Sequence, residues 1–147
     1  MASEKPLTVC YVSTAFHPVY TGAGILFQQY APGFDAQGIK LTVFTRVPDK
    51  NHSSFEHYRD LAKNDKFLPV ETVDGVNVQR VNLPLDGGTG WQNQMAFIRA
   101  FVEYCRNPET RPDVIQTTYL SEFWLPWLVM LRQMDIPHVY MHSLLAP

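Results

Sequence analysis

Neither sign of charge is in large excess: twelve Lys and Arg stand against fourteen Asp and Glu, a formal net charge of -2. That near-balance excludes the basic footprint of a nucleic-acid binder and the polybasic patch of a membrane-surface protein. Long hydrophobic runs are missing as well. The longest, FWLPWLVML from Phe123 to Leu131, has nine residues, whereas a bilayer-spanning helix needs roughly 20. An interfacial helix normally carries a basic polar face, and only Arg132 is basic nearby, so the run reads as a sheet-covering helix rather than a peripheral membrane contact. The opening MASEKPLTVC has no apolar stretch after its charges, so no secretory signal is expected and the chain is expected to be cytoplasmic. Cysteine is sparse: Cys10 and Cys105 lie inside apolar segments without metal-ligand spacing and read as buried reduced thiols. Repeats and low-complexity tracts are absent. With 46% hydrophobic and 18% charged residues, the 147-residue chain has the balance of one globular domain.

What is present is an alternation of strand and helix signals. LTVCYVS (Leu7 to Ser13) reads as a buried strand. Apolar residues at helical spacing follow from Gly24 to about Gln37, with Pro32 and Gly33 expected to kink the helix and Gly38 to stop it. IKLTVFT (Ile39 to Thr45) is a second strand, parallel to the first through a right-handed crossover. SFEHYRDLAKN reads as a short exposed helix. FLPVETV and VNVQRVNLP then flank Asp74-Gly75, a strong hairpin signal. After the flexible LDGGTG comes a helix with Trp91, Met95, Ile98, Val102 and Cys105 as its expected buried stripe. A strand at about Asp113 to Thr117, a helix from Glu122 to Met134 capped by Ser121, and a last strand from His138 complete the series. The fold class is therefore α/β: a Rossmann-like, open, mostly parallel sheet with helices on both faces and an inserted β-hairpin. That last strand has no helix after it before Pro147, so the sequence is expected to be truncated.

The loop HPVYTGAGILF raises the functional question. As a dinucleotide fingerprint it fits poorly. Gly22-x-Gly24 is followed by Phe27 where a third small residue belongs, and the glycines come nine residues after Ser13 rather than at the strand end. The second strand also ends in Thr45-Arg46, without an acidic residue for a ribose hydroxyl. Two readings stay open. The glycines permit a tight loop entering a helix, or they let a phosphate or hydroxyl-rich ligand approach the N–H groups of the helix start.

VCYVSTAFHPVYTGAGILFQQYAPGFDAQGIKLTVFTR, VDGVNVQRVNLP and RPDVIQTTYLSEFWLPWLVMLRQMDIPHVYMHS together resemble GT4-type glycosyltransferases of the GT-B fold. The likeness runs from Leu7 to Ser143 and lies in the ordered series: glycine turn with its helix leading into the LTVFT strand, DGV-x-V-x-R hairpin, PDV-I strand and I-P-x-V strand. The resemblance implies two Rossmann-like domains facing a cleft, of which residues 1–147 are the N-terminal, acceptor-side one. The C-terminal donor-binding domain, with the family's E-x7-E region, would be absent and the piece inactive alone. It implies transfer of a sugar from a nucleotide-diphosphate sugar to an acceptor with retention of configuration, without a metal ion or other cofactor.

By the same resemblance, Gly22, Ala23 and Gly24 lie near the diphosphate, and His142 is the strand-end histidine that contacts the donor sugar. Tyr20 and Thr21 in the glycine loop, Thr118 and Tyr119 after the PDV-I strand, and Ser143 beside His142 are the expected substrate contacts. Tyr20, Trp91 and Tyr119 have aromatic faces suited to sugar rings, although Trp91 reads more simply as the start of the buried stripe. Departures are plain. The family's H-x-H is here Gln116-Thr117-Thr118, which keeps hydrogen bonding but no base; Ile25 stands where relatives carry an acidic residue; His17 replaces a proline and reads as a loop histidine. A reading from a different class, a non-catalytic module that binds a sugar or another polar ligand, remains alongside.

Overall fold

The structure, a computed structural model, describes residues 5–19, 22–83, 90–117 and 124–140. The elements run β1 (Thr8–Val12), α1 (Gly22–Ala36), β2 (Lys40–Arg46), α2 (Phe55–Ala62), β3 (Glu71–Val73), β4 (Val76–Val81), α3 (Gly90–Arg106), β5 (Val114–Thr117), α4 (Trp124–Met134) and β6 (His138–Tyr140). They form one six-stranded sheet in the order β3-β4-β2-β1-β5-β6. Every neighbouring pair is parallel except β3 with β4. The expected fold class is thus the observed one.

β1 is central, which explains its unbroken apolar run: both of its faces need partners. Val9 and Tyr11 face one core, with Phe16, Phe27, Ala31, Val43 and Val78. Cys10 and Val12 face the other, with Phe44, Phe97, Phe101, Ile115 and Leu131. α1 covers the first face, where the rings of Tyr11 and Phe27 stack at 3.9 Å. α3 and α4 cover the second, and Trp127 and Met134 of α4 pack on that core, as the sheet-covering reading of FWLPWLVML requires.

Local signals explain several boundaries. α1 continues as helix through Pro32 to Ala36. It closes on Gly38 at φ +72°, with Gly38 N–H donating to the Asp35 carbonyl (2.9 Å) and Ile39 N–H to that of Phe34 (3.0 Å). This is the Schellman arrangement that a glycine permits. The hairpin turns at Asp74 and Gly75, both at positive φ, as a two-residue turn matched to strand twist demands. Only Glu71–Val73 of FLPVETV is strand. Upstream, Phe67 makes an isolated bridge to Val81 on the other side of Pro69, which has no N–H to donate to a ladder.

Two expectations need correction. The short helix α2 is not simply exposed: Tyr58 and Ala62 are buried with Val47 and Leu68. The α3 stripe is the expected one only in part, since Ile98 and Cys105 are buried and Met95 and Val102 half-buried, but Trp91 is not. Its buried residues are Phe97, Ile98, Ala100, Phe101 and Cys105, while Trp91 is 51% exposed. Trp91 sits in the first turn of α3, and helical spacing alone does not bury it there. The two thiols are free and buried as expected. Burial pushes Cys10 well up and Cys105 up to about 12, with Arg111 acting the other way on Cys105, so neither is a ready nucleophile.

Candidate functional site at the carboxyl edge of the sheet

Strand order reverses direction between β1 and β5, because the chain winds outward through β2 and β4 on one side and through β5 and β6 on the other. Ligands of open α/β sheets lodge at such a switch point, outside the carboxyl ends of the strands. Here β1 ends at Val12 and β5 at Thr117. The chain leaving β1 re-enters regular structure at Gly22, so Gly22, Ala23 and Gly24 form the first turn of α1, two residues earlier than the sequence suggests. The first turn of a helix presents N–H groups that its own ladder does not use, together with partial positive charge.

The segment that follows Val12 is tied down at its start. Ser13 N–H donates to the Phe44 carbonyl (3.1 Å), continuing the parallel ladder. Ser13 Oγ donates to the Ala15 carbonyl at 2.7 Å, and Phe16 buries its ring in the α1-side core. Between this loop and the end of β2, residues Thr14, Phe16, Val19, Arg46 and Asp49 border a recess of about 30 Å³. That is room for a water or two and not for a sugar ring. The Arg46 guanidinium pairs with the Asp49 carboxylate at 2.7 Å.

The DGV-x-V-x-R hairpin enters the same neighbourhood through a residue that sequence reasoning passed over. Arg80 is 1% exposed. Its Nε donates to Glu71 at 2.6 Å, Nη1 to the Arg46 carbonyl at 3.5 Å, and Nη2 to the His17 carbonyl. Its guanidinium lies 4.5 Å from the centre of the Tyr58 ring, and Tyr58 Oη donates to Glu71 at 3.3 Å. Desolvation raises the Tyr58 phenol above its ordinary value, with Arg80 opposing and Glu71 reinforcing the shift. The available signal was an arginine in the inward register of VNVQR, two residues from Val78.

On the other side of the switch point, Thr117 is buried and its Oγ1 lies 2.8 Å from His138 Nε2. The neighbouring strand β6 thus brings an imidazole to Thr117 at the end of β5. Desolvation holds His138 below its ordinary value. The unfolded chain therefore binds the proton more readily, and stability falls as pH drops below about 6.5 and levels off below the folded pKa. His138→Gln is expected to flatten this acid limb in melting curves recorded across pH 4 to 8. An unchanged limb would assign it to other groups.

Of the expected site residues, Tyr20, Thr21, Thr118, Tyr119, His142 and Ser143 lie outside the described residues, while Gly22, Ala23 and Gly24 begin α1 as stated. Their neighbours place them in sequence: Tyr20 and Thr21 directly precede α1, Thr118 and Tyr119 directly follow β5, and His142 and Ser143 come just after β6. Among the described residues, no three His, Cys, Asp or Glu side chains are grouped to hold a metal ion. No helix among them is long and apolar enough to cross a membrane.

The fold is similar to that of sucrose-phosphate synthase from Thermosynechococcus elongatus, with a TM-score of 0.55 at 18% sequence identity. The match covers 94% of this chain and 33% of the synthase, so the chain spans about a third of that protein's length. No curated protein matches the sequence. The glycosyl transferase 4-like domain matches residues 21–144, from the threonine before the glycine turn to beyond the last strand. With that span and the switch-point topology, the chain belongs to the glycosyl transferase 4-like domain family.

Proposed function

We propose that the chain forms the acceptor side of a glycosyltransferase that moves a sugar from a nucleotide-diphosphate sugar to an acceptor hydroxyl with retention of configuration, in the cytoplasm. The observation that carries this reading is the Gly22-Ala23-Gly24 first turn of α1 at the sheet's switch point, inside a family match over residues 21–144. When the bond from the anomeric carbon to the diphosphate breaks, negative charge grows on the departing oxygen. Fixed N–H dipoles at a helix start stabilise such charge without reorganising. In this reading His142 hydrogen-bonds the donor sugar as a neutral imidazole. Tyr20, Thr21, Thr118, Tyr119 and Ser143 contact the substrates, and a further domain holds most of the donor. The 147-residue piece by itself is then inactive.

The complete protein, given a panel of UDP-, GDP- and ADP-sugars, is expected to release nucleoside diphosphate from one of them, at a rate unchanged by EDTA. His142→Ala should lower kcat roughly tenfold or more, the cost of a lost hydrogen bond in the transition state, without altering the melting temperature. Donor binding without turnover in the complete protein would replace the transferase by a non-catalytic sugar-binding module. An unchanged kcat in the variant would remove His142 from the site.

A further inference from the structure

We propose that Arg80 is a positioning residue: its bond to the His17 carbonyl sets where the β1–α1 loop delivers the glycine turn. The functional meaning of this rests on the reading of that turn as facing a ligand. Arg80 reaches four separate pieces of the fold from one side chain. It touches β3 through Glu71, α2 through the Tyr58 ring, the end of β2 through the Arg46 carbonyl, and the loop through the His17 carbonyl. His17 lies five residues before Gly22, where α1 begins.

Stability alone does not call for an arginine here. A buried guanidinium must recover a large desolvation cost, and an apolar side chain of similar volume is often as stable or more so. What an apolar residue cannot do is hold a backbone carbonyl at a fixed point. The planar fork can, because its donors leave in set directions, one toward Glu71 and another toward His17. The hairpin is the natural lever. Its register is locked by the Asp74-Gly75 turn and by pairing of Glu71 with Val78 across the strands. Glu71 is thereby presented to Arg80, and Tyr58 closes over the guanidinium from α2. The aromatic lid and carboxylate fix the fork, and the fork fixes the loop.

The test compares Arg80→Lys and Arg80→Met with the parent chain by amide NMR and hydrogen exchange. Lysine keeps the charge but has a single ammonium, which cannot serve Glu71 and the His17 carbonyl in the fork's geometry. Both variants are expected to shift the amide resonances from Phe16 to Gly24 and to speed exchange at Val19 about tenfold or more. Signals of α3, β5 and β6 should stay in place and report that the fold is intact. If Arg80 merely fills the core, the hairpin and α2 signals will move while Phe16 to Gly24 stay where they are, and the proposal fails. A separate titration of the parent chain with inorganic pyrophosphate addresses the ligand-facing turn. Shifts confined to the start of α1 support that reading. Their absence up to millimolar pyrophosphate would count against the turn as a diphosphate site and leave the Arg80 result standing.

Discussion

Phe44→Ala should lower the free energy of unfolding by about 3–5 kcal/mol, the cost of deleting a large ring from a packed core. Phe44 is fully buried in β2, and its ring lies 5.4 Å from that of Phe97, 5.0 Å from Phe101 and 5.0 Å from Tyr104. It is the point where α3 grips the sheet. Domains of this size are stable by only about 5–15 kcal/mol, so the loss takes a large share of the total. The effect reaches the candidate site as well, because the Phe44 carbonyl accepts the Ser13 N–H that starts the β1–α1 loop. Urea denaturation followed by circular dichroism measures the change. A loss below about 1.5 kcal/mol would mean that neighbouring rings collapse into the space and that Phe44 is not the centre of this core.

The second large effect comes from breaking the Arg80 pair on one side only. Glu71→Leu removes the carboxylate from a guanidinium that stays buried. A hydrogen bond to a charged group contributes about 1.5–3 kcal/mol, and a buried charge left without its partner costs more. Glu71 is itself partly exposed and Arg80 keeps two carbonyls and the Tyr58 ring, so the expected loss is about 2–3 kcal/mol. The double variant Glu71→Leu with Arg80→Met should recover much of that stability, since an apolar pair has no charge to desolvate. Additive losses in denaturant titrations would show that the two residues act independently.

Much of the fold was legible in one dimension. Gly38 as a helix stop and Asp74-Gly75 as a hairpin turn are positions where only a few residue types tolerate positive φ, so local chemistry announces them. The central strand was legible because both of its faces are buried and its residues are continuously apolar. Trp91 was misread for the opposite reason. Its spacing matches the stripe, yet whether a helical residue is covered depends on what packs against it. The partial burial of α2 was equally hidden, since Tyr58 is enclosed by Val47 and Leu68, which flank the helix on either side and meet it only once the chain folds back.

The candidate site divides along the same line. The glycine turn and the ordered series of motifs stand in the amino-acid string, because a tight approach of backbone and a strand–helix alternation have local requirements. Arg80 and His138 acquired meaning only through pairing across the sheet. The partners of Arg80 come from β3, α2, the end of β2 and the β1–α1 loop, and Thr117 lies 21 residues from His138. Sequence by itself determined which elements form and the family they belong to, through hydrophobic period, turn residues and motif order. Tertiary structure alone decided which charges are buried and what they hold, because desolvation and hydrogen-bond geometry depend on neighbours that the linear chain keeps far apart.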